Sequence, residues 1–483
     1  MRFVPERILR CGLVTTNRLY YIAFAEQSCL EDPTYATAGG FKKMIDTNQK
    51  QEIEFATFVG IDWADQKHAW ALQIPGHLDV EHGELDHTPE AVDAWAADLA
   101  RRFGGRPIAV ALEQSRGALL FMLTKYAHLV LFPVHPTTLS DYRKGFRPSG
   151  AKSDPSDAGL LVDLLVRHRE KLRRLNPDTE QTRTLQFLVE ARRKFVSDKT
   201  RYSNRLTAYL KMYFPQVLDW FSEVTSPIAG DFLERWPSLQ KVQKARPETL
   251  RKFFIQRHSC KPDNIDRRLD EIRRAVPATH DAAVTCSCSA AVLALVRIVR
   301  AVRDAILSYD QQIETLARQH PDFAIMDSLP GAGPALVPRL IAALGTQRDR
   351  YHSASELQCY SGIAPVLASS GKQYWVHWRW ACPKFVRQTF HEWAAHSIGS
   401  SAWAKAYYEQ QRAKGKPRNT VVRALAFKWI RILFRCWKDR KLYSEEIYRQ
   451  ALVRRHQLAG KNSPVQLQWK TCAGFSKIAA ITP

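Results

Sequence analysis

The sequence predicts a mixed α/β domain near the N-terminus, followed by a longer region that is mostly α-helical. Between residues 51 and 172, short apolar runs bounded by turn residues alternate with stretches of helical periodicity. Beyond residue 172 the apolar residues recur mainly at spacings of three and four, which is the period of an α-helix. With 483 residues, the chain is long enough for two or three domains with separate cores.

The α/β domain begins with three predicted strands, at "FATFVGID", "HAWALQI" and the more polar "DVEHGELD". Then come a helix at "PEAVDAWAADLARRF", a strand at "PIAVALEQ" and a helix at "GALLFMLTKYA". The last two elements are a strand at "LVLFPV" and a helix behind "KSDPSDAG". This order of elements is that of a ribonuclease-H-like (RuvC-like) domain, which is the fold class predicted for residues 51–172.

Residues 173–322 are predicted to form long coiled-coil helices with an insert between them. A second, weaker apolar repeat lies around Leu185 to Tyr213, and residues 225–285 form the predicted helical insert. The two long helices could pair within one chain or join two subunits. The strongest seam, at spacings of three and four, consists of Val292, Leu295, Val299, Val302, Ile306, Tyr309, Ile313 and Leu316.

Residues 323–457 are predicted to form a third, helical domain. Residues 1–50 have neither sustained periodicity nor a charge run, so they are predicted to be an N-terminal extension. Residues 458–483 are predicted to be a loosely attached tail.

The composition favours a polyanionic partner, because 71 Lys and Arg against 48 Asp and Glu leave a net charge of +23. Nucleic acid is the leading candidate, and a basic housekeeping enzyme is the alternative. The nine cysteines have no zinc-site spacing, which is typical of a reducing compartment. No apolar run is expected to approach the length of a membrane span, and no secretory signal is recognised. We therefore expect a bacterial cytoplasmic protein without a membrane partner.

Four acidic residues in the α/β domain are candidate metal ligands. Asp62 ends the first strand and Glu113 ends the fourth, and two acids on neighbouring strand ends would repel each other unless a cation lay between them. Asp154 and Asp157 lie three residues apart on one face of a helix start. The alternative for this pair is helix capping, with Asp154 as N-cap and Asp157 at the third helical position. Carboxylates without His or Cys select Mg²⁺ or Mn²⁺.

These motifs carry a family resemblance. "VGID" with Asp62, "ALEQS" with Glu113 and "KSDPSDA" with Asp154 and Asp157 resemble the D-E-D-D signature of the insertion-sequence one-ten (110/1111) family. Members of that family are bridge-RNA-guided transposases that also use a serine nucleophile. The resemblance implies that the four acids are catalytic and bind Mg²⁺ (or Mn²⁺). Two such ions would bind the attacking and the leaving oxygen of a phosphodiester.

The second half of the resemblance begins at "SLPGAGPALVPRLIAALG". The turn at Gly331 and Gly333 resembles a helix-hairpin-helix element, whose backbone N–H groups can receive a phosphate. The alternative is a glycine-rich helix connection without a ligand.

Alignment of "SGIAPVLASSG" on the family's serine segment implies that Ser370 is the nucleophile. A shift of one residue would assign the role to Ser369, and the alternative for the whole stretch is a flexible loop. A nucleophilic serine needs an exposed site and activation, for which Lys372, Arg379 and Lys384 offer positive charge.

Basic residues alternate with aromatic residues in "WAKAYYEQQRAKGKPRNTVVRALAFKWIRILFRCW", a combination that suits phosphates and unstacked bases. The alternative is a helix with a solvated basic face. The residues predicted to bind nucleic acid are Gly331, Gly333, Lys372, Arg379, Lys416, Arg418 and Arg423.

The resulting prediction is a DNA transposase or recombinase of an insertion sequence. The resemblance implies double-stranded DNA (element ends and target) and a guide RNA as partners, and a homo-oligomer, dimer or tetramer, with a composite active site. The alternatives are a RuvC-like Holliday-junction nuclease that uses metal-activated water, and an inactive nucleic-acid-binding remnant.

Overall fold

The computed structural model describes residues 53–113, 117–146, 153–257, 262–371 and 373–458. The predicted N-terminal extension, the tail after residue 458 and the candidate Lys372 lie outside these ranges. The described residues fall into two compact units, one ending at Pro177 and the other beginning at Asp178.

The first unit is built on one five-stranded mixed sheet, which confirms the α/β prediction for this part of the chain. The strand order is β3-β2-β1-β4-β5; β1–β2 and β2–β3 are antiparallel, whereas β1–β4 and β4–β5 are parallel. The strands are β1 (Thr57–Asp62), β2 (Lys67–Gln73), β3 (Val80–Asp86), β4 (Ile108–Leu112) and β5 (Leu129–Pro133). The helices are α1 (Pro89–Arg102), α2 (Ala118–Leu123), α3 (Pro136–Phe146) and α4 (Asp154–His168).

Both faces of this sheet are covered, because β1 and β4 are apolar on both sides. On one face, Val59 and Ile61 share a core with residues of α1 and α2. On the other face, Phe58 and residues of β4 share a core with α4. The helix lies very close to β1, since a Cβ on Gly60 would be 2.2 Å from the carbonyl oxygen of Ala158. The missing side chain of Gly60 therefore fixes where α4 crosses the sheet.

The second unit consists of fourteen helices and one two-stranded hairpin in its described residues. Its long helices are α5 (Glu180–Tyr213) and α11 (Ala282–Arg318). Between them lie α6 (Gln216–Trp220), α7 (Pro227–Arg235), α8 (Leu239–Gln243), α9 (Pro247–Gln256) and α10 (Pro262–Arg274). After them come α12 (Phe323–Asp327), α13 (Gly333–Leu344), α14 (Ala354–Tyr360), β6 (Val366–Ser370), β7 (Gln373–His377), α15 (Lys384–Ser400), α16 (Ala402–Ala413), α17 (Arg418–Asp439) and α18 (Glu445–Leu458).

The two long helices pack antiparallel against each other within one chain, which was one of the two arrangements left open by the sequence. Arg192 on α5 forms an ion pair with Asp310 on α11, and the rings of Phe195 and Tyr309 lie 5.5 Å apart. The predicted seam faces inward over much of its length, with four of its residues buried, namely Val292, Leu295, Val299 and Ile313.

The helix pair joins two separate hydrophobic cores. One core contains the insert helices α6–α10 with Leu206 of α5 and Val292 of α11. The other contains the C-terminal helices with Leu185 of α5 and Ile313 of α11. Its largest buried side chains include Trp393 of α15 and Trp429 and Trp437 of α17. The insert is helical, as predicted.

The prediction that residues 323–457 are entirely helical is wrong at the β6–β7 hairpin. The strand β7 contains β-branched and aromatic residues in "QYWVH", and the turn contains Gly371 with a φ of +57°. A positive φ is a conformation that glycine adopts readily. The signal for a hairpin was therefore in the sequence, in a short segment between two helical stretches.

The expectation that no apolar run approaches a membrane span is also wrong. By length and composition alone, α11 is long and apolar enough to cross a membrane. An 18-residue window of this helix has a mean hydropathy of 2.0, and 28% of that window is buried. Core helices of soluble proteins meet the same criteria, and α11 packs on α5 and on the insert helices.

Candidate functional site

Asp62 and Glu113 lie at adjacent strand ends. Asp62 is the last residue of β1, and Glu113 directly follows the last residue of β4, Leu112. Leu112 is paired with Ile61 of β1. Side chains alternate along a strand, so both acids belong to the face of the sheet that α4 covers. Asp62 is only 4% exposed. The two strand ends are neighbours, as predicted, and the alternation puts both carboxylates on one face of the sheet.

The first turn of α4 carries the other two acids. The helix begins at Asp154, with Ser153 in the N-cap position and without a side-chain cap hydrogen bond. Asp154 is therefore not the N-cap that the capping alternative required, and the capping position lies one residue earlier. Asp154 is exposed, whereas Asp157 is fully buried. Since α4 crosses β1 at Gly60, its first turn lies on the same sheet face as Asp62.

Asp157 has a cationic partner that the sequence did not reveal. Arg143, on α3, donates from Nε to Oδ1 over 2.6 Å and from Nη2 to Oδ2 over 2.5 Å. The side chain of Arg143 is 15% exposed and that of Asp157 is 0% exposed. A two-bond guanidinium–carboxylate pair of this kind compensates the buried charge of Asp157. The only signal in the sequence was the basic pair "RK" near the end of α3.

The acids fit Mg²⁺ or Mn²⁺ by the chemistry of their oxygens, but their side chains do not form a ready-made ion site. In residues 53–113, 117–146 and 153–458, apart from the undescribed gaps, no three His, Cys, Asp or Glu side chains are grouped to hold a metal. Asp157 instead binds Arg143. A metal ion at Asp157 would compete with this guanidinium for the negative charge of the carboxylate.

Replacement of Arg143 by glutamine should destabilise the protein in the absence of divalent metal. Removing one partner of a buried ion pair leaves an uncompensated charge, here on Asp157, and costs about 3–5 kcal/mol. We expect Mn²⁺ to raise the melting temperature of the variant more than that of the wild type, and calorimetric titration to find tighter Mn²⁺ binding. Lys144→Gln, which removes an exposed ion pair on the same helix, should remain within about 1 kcal/mol of wild type. Equal metal-induced shifts in both variants would contradict competition by Arg143.

The opposite face of the same sheet end contains a histidine pair, of which His68 is buried and His87 is partly buried. His68 and His87 are 2.8 Å apart between Nε2 and Nδ1, and burial, followed by repulsion from His87, lowers the pKa of His68 to about 4. His68 is therefore neutral at pH 7, and its Nδ1 accepts a hydrogen bond from the backbone of Ala64. This bond fixes the turn that follows Asp62.

Ser370 lies at the tip of the β6–β7 hairpin. It is the last residue of β6, pairs with Gln373 across the turn and is exposed. Ser369 is also exposed and pairs with Tyr374. The segment predicted as either a nucleophile site or a flexible loop is thus the end of a strand, and successive strand residues point to opposite faces.

The two glycines of the helix-hairpin-helix-like turn have different environments. Gly331 has a φ of +73°, and a Cβ there would lie 2.7 Å from the backbone of His396 and Ser397 on α15. Gly333 has a φ of +53°, is exposed and has open space around it at the start of α13. Gly331 is therefore required for packing against α15, and Gly333 alone of the two lies at an open surface.

Two of the predicted nucleic-acid-binding arginines hold the base of the hairpin. Arg379 donates to the carbonyl oxygens of Ala364 and Pro365, each over 3.3 Å. Arg423 is 5% exposed and donates to the carbonyl oxygen of Ile363 over 2.9 Å. Arg423 is therefore not part of a solvated basic helix face, which was the alternative for this stretch, because its guanidinium binds backbone carbonyls inside the fold.

Two other basic candidates lie nearer the surface. Lys416 is half-buried, and burial, with a smaller contribution from Lys414, lowers its pKa. Arg418 is exposed at the first residue of α17.

Residues 59–215 match the DEDD transposase model of IS110, and residues 324–409 match the model of the IS116/IS110/IS902 family of transposases. The first match contains all four acids, and the second contains Ser370 and the hairpin.

Curated relatives cover most of the chain. The mini-circle transposase candidate for IS117 from Streptomyces coelicolor is 28% identical over 408 residues, which are 82% of this chain and 97% of the relative. A 43.6 kDa protein of insertion element IS110 from the same organism is 25% identical over the same shares of both chains. A 42 kDa protein of insertion element IS900 from Mycobacterium paratuberculosis is 26% identical, over 69% of this chain and 83% of the relative. Since the two family models together match half of the chain, it belongs to the IS110/IS116/IS902 family of transposases.

Proposed function

We propose that this transposase cuts and rejoins DNA with four metal-binding acids, Asp62, Glu113, Asp154 and Asp157, and with Ser370 as nucleophile. The observation that carries the proposal is the shared sheet face of the acids. Two of them end adjacent parallel strands, and the other two open the helix that crosses β1 at Gly60.

The strand order supports a ribonuclease-H-like class for the first unit. Three antiparallel strands followed by two parallel ones, in the order β3-β2-β1-β4-β5, are the arrangement expected of that class. The matching family model bears the letters DEDD in its name and spans the four acids.

Each group would have a defined part in the chemistry. Bound Mg²⁺ or Mn²⁺ would supply positive charge to the attacking and leaving oxygens of a phosphodiester. Ser370 Oγ would attack the phosphorus, so that a serine–phosphate bond forms as the bond to the leaving sugar oxygen breaks. The serine proton ends on the leaving hydroxyl. An exposed strand end suits this role, because a duplex can reach it without unfolding the protein.

The proposed partners are double-stranded DNA, at the element ends and the target, and a guide RNA that selects the sequences. The net charge of +23 supports binding to both. The proposed assembly is a homo-oligomer, dimer or tetramer, in which the acids and Ser370 form a composite site, in the bacterial cytoplasm.

Replacement of Asp62 by asparagine tests the role of the acids. With purified protein, Mg²⁺, the RNA of the element and a plasmid that carries the element ends, we expect DNA cleavage to fall at least about 100-fold, because a ligand charge is lost. Glu84→Gln, an exposed acid on β3 of the same sheet, should cleave at the wild-type rate. Full cleavage by Asp62→Asn, or wild-type cleavage that persists in a metal chelator, would overturn the proposed role of the acids.

A further inference from the structure

A cleft of about 470 Å³ lies in the second unit, between α5, α15, the start of α17 and the base of the β6–β7 hairpin. The residues that determine its character are Arg193, Trp378, Lys384, Arg387, His391 and Arg423. Neither the family comparison nor the acids and serine described above account for it.

The cleft is strongly positive. Arg193 donates to the side-chain oxygen of Gln388 over 2.8 Å, and Arg387 donates to the backbone oxygen of Arg379 over 3.3 Å. Both acceptors are neutral, so these bonds leave the positive charges uncompensated. The one lining carboxylate, Glu392, is already paired with Arg339. Cations that converge on a cavity without an equal number of acids create a site for an anion.

The start of α17 adds to this field. Asn419 and Thr420, in the first turn of the helix, line the cleft. The N-cap residue is Pro417, and no side chain caps the helix there. The first N–H groups and the positive end of a 22-residue helix dipole therefore lie at the cleft.

Two tryptophans, Trp378 and Trp380, lie beside the cationic side chains of the cleft. The guanidinium of Arg423 lies 3.6 Å from the ring centroid of Trp378, and that of Arg387 lies 5.6 Å from the same ring. The neighbouring Trp380 is 77% exposed, and its ring centroid is 6.1 Å from that of Trp378. A tryptophan this exposed beside a row of cations can stack on a nucleobase.

We propose that this cleft binds the sugar–phosphate backbone of a nucleic-acid strand and that Trp380 stacks on an unpaired base of the same strand. The proposal rests on the function proposed above, because the strand would lead to Ser370. The cleft meets the hairpin at its base, where Val366 pairs with His377, and Ser370 is four residues further along β6. That length is about 13 Å, or about four nucleotides along one strand of a duplex.

The test measures equilibrium binding in a Ser370→Ala background, so that no cleavage occurs and a failure of the serine chemistry is not mistaken for a failure of the cleft. The variant Arg193→Gln/Lys384→Gln removes two cleft cations that are exposed enough to be replaced without disturbing the core. The matched control, Arg205→Gln/Lys252→Gln, removes two exposed cations from α5 and α9 outside the cleft. Circular dichroism verifies the fold of each protein.

Fluorescence anisotropy across a salt series, with a 30-bp DNA duplex, single-stranded DNA and single-stranded RNA of the same sequence, gives the readout. For the strand that occupies the cleft, we expect the cleft variant to bind at least about tenfold more weakly at low salt. Its slope of log affinity against log salt should fall by about 0.7–0.9 for each lost phosphate contact. The control pair should leave affinity and slope close to wild type.

The three probes identify the strand. A loss confined to the DNA probes places DNA in the cleft, and a loss confined to RNA places the guide there; both outcomes support the proposal. Trp380→Ala should weaken the single-stranded probe that uses the cleft roughly tenfold and the duplex less. Equal losses in the cleft variant and the control pair, or no loss in either, would overturn it.

Discussion

Replacement of Ser370 by alanine is expected to abolish the covalent protein–DNA adduct, whereas Ser369→Ala should still form it. Removal of an attacking nucleophile costs on the order of 10³-fold in rate or more. The two serines are adjacent in β6, so their side chains point to opposite faces of the hairpin and only one of them can face the DNA. Both are exposed, so neither substitution should alter the fold. The measurement is the yield of adduct on denaturing gels after incubation with DNA, Mg²⁺ and the RNA of the element.

The other outcomes of this measurement would indicate a different nucleophile or a different function. Loss of the adduct in Ser369→Ala alone would shift the nucleophile by one residue. Cleavage at the wild-type rate by Ser370→Ala, with no adduct in any protein, would favour a RuvC-like Holliday-junction nuclease that activates water. Binding without cleavage under every RNA and metal condition would favour an inactive remnant.

Replacement of Gly60 by alanine is expected to destabilise the first unit by about 3 kcal/mol or more. The added Cβ would lie 2.2 Å from the carbonyl oxygen of Ala158, 2.8 Å from Cβ of Leu161 and 2.9 Å from the amide nitrogen of Val162. Two of these three atoms belong to the backbone of α4, so relief of the overlap requires the helix to move. Because that helix also carries Asp154 and Asp157, metal binding should weaken together with stability.

Urea unfolding followed by circular dichroism measures the effect of Gly60→Ala. The matched control is Gly145→Ala on α3, in the same unit, where an added Cβ meets no atom within 4 Å. Alanine is favoured over glycine in helices, so this control should be within about 1 kcal/mol of wild type, on the stabilising side. Unfolding of Gly60→Ala at the wild-type midpoint would show that α4 is not held against β1 as described.

Local patterns were sufficient to predict the sheet and the placement of two acids. Asp62 and Glu113 end apolar strands, and the order of elements implies that those strands are neighbours. The partner of Asp157 could not be predicted, because Arg143 comes from another helix and its long side chain has many possible directions. The same limit applies to Gly331, whose packing partner on α15 is more than sixty residues away in sequence. The hairpin was missed because two short strands lie between strongly helical stretches.

The paired helices α5 and α11 set a fixed distance between the two cores of the second unit. Val292 lies in one core and Ile313 in the other, so 21 residues of uninterrupted helix separate them, a length of about 30 Å. A single inserted residue in α11 would rotate one core by about 100° about the helix axis, because an α-helix has 3.6 residues per turn. Its antiparallel partner α5 would have to lengthen in step to preserve their contacts. The helix pair thus sets the spacing of the two cores, and homologues should gain or lose residues in α5 and α11 together.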